Sequence, residues 1–261
     1  MAQRLLALDV GNTHTVVGIF DGEEHRSQYR LSTYPGRTED EIGLWLLQLL
    51  GWEQLGPEDL AGVAVASVVP PLDPHLRQAI VKFLKVEPFF VEPGIRTGMP
   101  LRVDIPQELG ADRLCDAVAA YAKYGGPCVV IDFGTAATWE VVSSRGEYLG
   151  GVIAPGPGIV SDALSSKTAK LPHVALAPPP RVIGKGTVDS IQAGVFYGYL
   201  GLIEGITRRI LAELGSAPVV ATGGFAGDIA THCRVIDAVE PRLTLEGLRL
   251  LWAKNLSGDR G

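Results

Sequence analysis

No apolar run in the 261 residues approaches the stretch of about 18 that a membrane-crossing helix needs, so no membrane partner is expected. The opening Met1-Ala2-Gln3-Arg4-Leu5 leads into a strand carrying Asp9 rather than into a secretory signal. Cysteine is scarce: Cys115, Cys128 and Cys233 are odd in number and far apart, and no Cys-x-x-Cys spacing occurs. They read as buried free thiols of a cytoplasmic protein, where the sequon Asn255-Leu256-Ser257 meets no glycosylation machinery. Net charge is −6 and no basic block exists, which argues against nucleic acid as the main partner. The spacing of a P-loop is missing too, since Gly184-Lys185-Gly186-Thr187 lacks the earlier glycine. His25, His75, His173 and His232 show no metal-ligand spacing and read as surface residues.

What the chain does have is a repeat. Leu5 to Val10 and Val129 to Phe133 are short apolar runs, each carrying an Asp near its end. Gly follows that Asp by two positions and Thr by six: Asp9, Gly11, Thr15 and Asp132, Gly134, Thr138. Each copy reads as a buried strand entering a tight turn. Glycine lets a phosphate approach the backbone, and successive N–H groups in such a turn form an anion site. Thr13, Thr15, Thr135 and Thr138 add hydroxyls. An Asp would repel a bare phosphate, so its presence argues for a bridging cation such as Mg²⁺, which binds one or two carboxylates together with substrate phosphates.

Around these copies the chain reads as two α/β halves. Residues 1–110 read strand, strand, strand, helix, strand, helix, with a hairpin at Asp21-Gly22 and a capping box at Thr38-x-x-Glu41. Ile42, Trp45, Leu46, Leu49 and Leu50 fall on one helical face, Val63 to Val69 reads as a buried strand, and Leu76, Ile80, Val81 and Leu84 suggest another helix. Residues 111–261 repeat the theme, with strands at Val129 to Asp132, Thr138 to Ser143 and Tyr148 to Ile153. A loop is expected at Pro155 to Gly158 and helices over Leu164 to Pro180, Ile191 to Leu214 and Leu245 to Leu256. Gly194, Gly198, Gly201 and Gly205 recur in the long helix; close packing on the sheet and contact across a subunit boundary both fit them. The expected architecture is two related halves with mixed sheets and a ligand cleft between them.

In these residues the chain resembles the acetate and sugar kinase/Hsp70/actin superfamily, whose halves are ribonuclease H-like, and within it type III pantothenate kinases. Asp9-Val10-Gly11-Asn12-Thr13 is similar to the family's first phosphate motif and Asp132-Phe133-Gly134-Thr135-Ala136-Ala137-Thr138 to the second. Gly110-Ala111-Asp112-Arg113 resembles its pantothenate-binding motif. Gly150-Gly151-x-Ile153-x-Pro155-Gly156, Thr168-Ala169-x-Leu171-Pro172 and Ile183-Gly184-Lys185-x-Thr187 resemble later signatures, and Thr222-Gly223-Gly224 the adenosine-side loop.

The resemblance implies transfer of the ATP γ-phosphoryl to pantothenate, the first step of coenzyme A synthesis, by a homodimer using Mg²⁺ and a monovalent cation, K⁺ or NH₄⁺. It implies nucleotide contacts along Asp9-Val10-Gly11-Asn12-Thr13-His14-Thr15-Val16 and at Thr135, Gly223 and Gly224, with Asp9 orienting Mg²⁺ through water. Asp132 would hold the monovalent cation. Asp112 would take the proton from the substrate hydroxyl, beside Gly110, Ala111 and Arg113, and Thr187 would bind pantothenate from either subunit. From local sequence alone, Asp112 also reads as a helix N-cap. Three positions depart from the family pattern: Val103 for Tyr, Gly186 for Asn and Glu140 for Asp. Another small-molecule kinase of the superfamily and a non-catalytic Baf-type regulator are the alternatives.

Overall fold

The computed structural model describes residues 4–167 and 171–256. Packing groups the described residues into two units. Unit one takes those within Met1–Met99, Asp104–Ala119 and Leu243–Gly261, and unit two those within Pro100–Val103 and Ala120–Arg242. Unit one thus runs past residue 110 as far as Ala119 and also takes in the final helix.

Unit one is a five-stranded mixed sheet. At its centre β1 (Arg4–Val10) pairs antiparallel with β2 (His14–Asp21) and parallel with β4 (Leu60–Ser67). β3 (Glu24–Ser32) lies outside β2 and β5 (Pro88–Phe90) outside β4, giving the order β3-β2-β1-β4-β5. Leu5 to Leu8 are all fully buried, as expected of a strand covered on both faces. Leu6, Leu8 and Val10 face α1 (Glu39–Trp52) and α2 (Asp73–Ala79), where Ile42, Leu46, Leu50 and Leu76 complete one core. The capping box of α1 forms as expected, with Thr38 Oγ1 accepting from Glu41 N–H and the Glu41 carboxylate accepting from Thr38 N–H. On the other face lies α7 (Leu243–Leu256). It comes so close that a Cβ on Gly18 would sit 2.8 Å from Leu245, and one on Gly62 2.6 Å from Trp252. Leu243, Leu245, Leu248, Leu251 and Trp252 are buried there, each worth about 1.5–3 kcal/mol.

Unit two repeats this plan strand for strand. β6 (Cys128–Phe133) pairs antiparallel with β7 (Ala136–Val142) and parallel with β9 (Val219–Thr222). β8 (Tyr148–Pro155) and β10 (Ala238–Val239) flank them, in the order β10-β9-β6-β7-β8. Phe196, Tyr199 and Ile203 of α5 (Thr187–Leu214) pack on Ile131, Phe133 and Trp139, and the Trp139 indole N–H donates to Thr207 Oγ1 at 3.0 Å. α3 (Ala111–Tyr124) contributes its first nine residues to unit one and the rest to unit two.

Several sequence expectations change. β5, β10 and α6 (Ala226–Ala230) are too short to leave a periodic signal. The expected helix over Leu164 to Pro180 is instead α4 (Pro157–Lys167), so Pro157 opens a helix where a loop was expected. Pro172 and Pro178 to Pro180 deny residues 171–186 the helix, because proline lacks the N–H that helix needs. Residues 168–170 of the Thr168-Ala169-x-Leu171-Pro172 signature, and Ser257 of the sequon, lie outside the described residues. Gly194, Gly198 and Gly201 are exposed with open space before them, so packing on the chain's own sheet is not their role. His25 is half-buried against the Phe20 ring rather than on the surface. The three cysteines are buried and unbonded, and among the described residues no helix is long and apolar enough to cross a membrane.

Candidate active site

In unit one the ladder between β1 and β2 ends at Val10↔Thr15, and Gly11-Asn12-Thr13 make the turn. Gly11 N–H donates to the His14 carbonyl at 3.0 Å. A Cβ on Gly11 would stand 3.0 Å from that same carbonyl, so any side chain there would press on the bond that closes the turn. Asn12, Thr13 and His14 are exposed, Val16 half-buried and Val10 fully buried. Asp9 lies opposite Val16, on the sheet face that α7 covers.

The equal Asp-to-Thr spacing of the two copies does not give equal places in the ladder. Thr138 lies directly across from Asp132, on the same face. Thr15 lies across from Val10, so it is on the face opposite to Asp9, buried, with its hydroxyl 2.9 Å from that of Thr33. The cause is one residue of turn length: three residues separate β1 from β2, and two separate β6 from β7. A one-residue difference exchanges faces along a strand.

α3 places Asp112 and Arg113. The helix begins at Ala111, and Leu114 N–H reaches the Gly110 carbonyl, so Asp112 sits inside the first turn and is not its cap. Asp112 Oδ1 folds back to accept Arg113 N–H at 2.7 Å. A Cβ on Gly110 would lie 2.5 Å from that oxygen, so glycine there leaves room for the Asp112 carboxylate in this position. Burial pushes the Asp112 carboxyl above the ordinary aspartate range, opposed by the Arg113 N–H bond and guanidinium charge. One turn on, the buried Cys115 thiol is raised well above its usual range by burial and further by the charges of Asp116, Asp9 and Asp112. Asp9 and Asp112 therefore act on one buried group, which ties the first turn to the helix start. Among the described residues no three His, Cys, Asp or Glu side chains gather as a metal cage. A pair of carboxylates suits Mg²⁺, which keeps several waters and takes one or two.

In unit two Gly134 N–H donates to the Ala136 carbonyl at 3.0 Å, and Thr135 is exposed at the tip. Beside this turn β9 ends in Thr222, paired with Asp132, and the chain leaves through Gly223 at φ +91. A Cβ on Gly223 would fall 2.2 Å from Asp132 Oδ1 and 2.6 Å from Phe133 N, so no other residue fits. Gly224 is exposed beyond it. The structure thus gathers Asp132, Thr135 and the Gly223-Gly224 loop at the carboxyl ends of parallel strands, where α/β sheets hold ligands. Thr187 is the exposed first residue of α5, behind the extended Gly186. Of the departures, Glu140 is fully buried and accepts from the Tyr148 hydroxyl at 2.5 Å, and Val103 lies near Gly150. Sequence reading passed over Thr33, since a threonine after an alternating strand carries no signal of its own.

A family model described as type III pantothenate kinase matches residues 5–209. A type III pantothenate kinase of Moorella thermoacetica is 51% identical over 252 residues, spanning 96% of this chain and 99% of that protein. One of Koribacter versatilis is 45% identical, spanning 98% and 97%. Among solved structures, a candidate Baf family transcriptional activator from Campylobacter jejuni matches with TM-score 0.60 at 22% identity, covering 97% of this chain and 99% of that one. A candidate N-acetylmannosamine kinase from Listeria monocytogenes matches with TM-score 0.55 at 12% identity, covering 96% and 99%. These two likenesses bear on fold alone, and the fold is actin-like. With its family model matched over most of its length and half its residues shared with a near full-length relative, the chain belongs to the type III pantothenate kinase family.

Proposed function

We propose that this chain transfers the γ-phosphoryl group of ATP to the primary hydroxyl of pantothenate, the first step of coenzyme A synthesis. The observation that carries the reading is the duplicated Asp-tipped turn, found with a raised Asp112 carboxyl at a helix start. Phosphoryl transfer needs positioning and charge neutralisation more than covalent chemistry, and the residues present suit that need. Within residues 1–110 the run Asp9 to Val16 serves the nucleotide: Gly11 closes the turn onto the His14 carbonyl, and the N–H groups of Asn12 and Thr13 with the Thr13 hydroxyl meet phosphate oxygens. Within residues 111–261 Thr135 does the same, and Gly223-Gly224 takes the adenosine side. Asp9 orients Mg²⁺ through water; when bound, that ion neutralises charge on the phosphates. Asp132 holds K⁺ or NH₄⁺, with Gly223 backbone pressed against its carboxylate. Asp112 accepts the hydroxyl proton while Arg113, Gly110 and Ala111 seat pantothenate.

The enzyme works as a cytoplasmic homodimer. Cytoplasmic placement is supported by three buried, unbonded cysteines. The dimer is supported by α5, where Thr187, Gly194 and Gly201 recur at intervals of seven along one exposed face, with Gly198 and the 38%-exposed Tyr197 beside them. Small residues at such spacing let a second helix approach, and Thr187 on that face would then serve the partner's substrate. Gly198→Arg, which has open space on its own chain, should convert the two-chain mass to one chain in light scattering. An unchanged mass would place the dimer elsewhere.

The activity is tested with purified protein, pantothenate, ATP and Mg²⁺, with and without K⁺, reading phosphopantothenate. Phosphorylation of a hexose but not of pantothenate would overturn the assignment in favour of a sugar kinase.

A further inference from the structure

We propose that each phosphate turn is latched into its binding shape by the residue that follows the third strand of its own sheet: Thr33 in unit one and Gly156 in unit two. β3 ends at Ser32, and Thr33 N–H donates to the Thr13 carbonyl at 2.9 Å. β8 ends at Pro155, and Gly156 N–H donates to the Thr135 carbonyl at 3.1 Å. The two bonds occupy the same place in two sheets of the same topology. They are not within either motif, and nothing in the repeat Asp-x-Gly foretells them.

The latch acts through the geometry of the peptide. In a trans peptide the C=O and the following N–H point in opposite directions. Holding the Thr13 carbonyl toward Thr33 therefore turns the His14 N–H to the opposite side, where the His14 carbonyl already meets Gly11 N–H at 3.0 Å. Holding the Thr135 carbonyl toward Gly156 turns the Ala136 N–H the same way, to where the Ala136 carbonyl meets Gly134 N–H. Each turn thus has one bond closing it from within and one fixing its peptide from behind. Anion sites made of backbone N–H groups depend on those directions being set before the ligand arrives.

The two latches are secured by different means. In unit one the Thr33 and Thr15 hydroxyls bond to each other, with the two residues 9% and 8% exposed. This explains a threonine at position 15 facing away from Asp9. In unit two the latch is steric: a Cβ on Gly156 would lie 2.2 Å from the Thr135 oxygen and 2.5 Å from that of Gly134. Thr33 and Gly156 are positioning residues, acting on the nucleotide through Thr13 and Thr135.

The inference rests on the reading that these turns hold nucleotide phosphates, and the test separates the two. Thr33→Val keeps the shape and the N–H but leaves the buried Thr15 hydroxyl unpaired. It should raise the ADP dissociation constant in calorimetry, and KM for ATP, by roughly tenfold, with KM for pantothenate within about twofold. Thr33→Ser, which restores the hydroxyl, should return both to near wild type. Gly156→Ala should weaken ADP by a larger factor than Thr33→Val. Unchanged ADP affinity in folded Thr33→Val, or a loss that serine does not rescue, would overturn the latch. ADP binding is read without turnover, so a wild-type protein that binds ADP but leaves pantothenate unmodified would fail the activity reading alone.

Discussion

Asp112→Asn should lose turnover by about 10²–10⁴-fold, the range that a positioned general base supplies, while ADP binding stays close to wild type. The amide keeps the oxygen that accepts Arg113 N–H, so the helix start survives and only the proton acceptor is removed. The pH dependence follows from the direction of the carboxyl's shift. Burial holds the Asp112 pKa above the usual aspartate value, and the base works only when ionised. In wild type, kcat/KM should therefore fall as pH drops through that raised value, at a higher pH than an ordinary aspartate would give. Stability runs the other way. A carboxyl raised in the folded protein contributes stability that is full below its unfolded pKa and is lost as pH rises through the folded one. At neutral pH the ionised Asp112 is a cost to the fold, and Asp112→Asn should melt at the wild-type temperature or above it. Near-normal turnover, or an acid limb unmoved from that of an ordinary carboxylate, would remove Asp112 from the role of base.

Asp132→Ala should abolish the response to monovalent cation. Assayed with KCl against choline chloride at constant ionic strength, the wild type should be activated and the variant should show a ratio of about one, as expected when a carboxylate that holds a cation is removed. The surroundings favour this reading. Asp132 lies between Thr138 on one neighbouring strand and Thr222 on the other, with the Gly223 backbone closed over its oxygen. Its charge, after burial, also raises the Tyr199 phenol, so it is felt inside the core beneath the turn. A variant that still responded to K⁺ with the wild-type ratio would move the cation to other ligands.

How far the sequence carried the structure can be judged from particular elements. The two central strands were legible because burial on both faces forces an unbroken apolar run, as in Leu5 to Leu8. α1 was legible because its capping box and its apolar face agree. The duplicated turn located the candidate site because the same Asp, Gly and Thr spacing recurs in both halves, and beside the second copy Gly223 is required where backbone closes on backbone at φ +91. What failed was anything decided by register or by distant packing. Equal spacing made Thr15 and Thr138 look equivalent, yet one residue of turn length puts them on different faces of their sheets. Proline content placed a loop at Pro157, although proline is well suited to the first position of a helix. The partners of Asp112 and the latch at Thr33 depend on atoms brought together by tertiary structure, and no local pattern encodes them.

Because α7 covers a face of the sheet that β1 begins, synthesis and maturation of this enzyme are out of step. A ribosome that has released the first hundred residues has made every strand of the first sheet but not the helix that seals one side of it. The second sheet, whose elements lie together between Ala120 and Arg242, has all its parts earlier than the first does. Nascent chains halted before Leu243 should consequently display a finished C-proximal body beside an unsealed N-proximal one, the reverse of the order in which their codons are read.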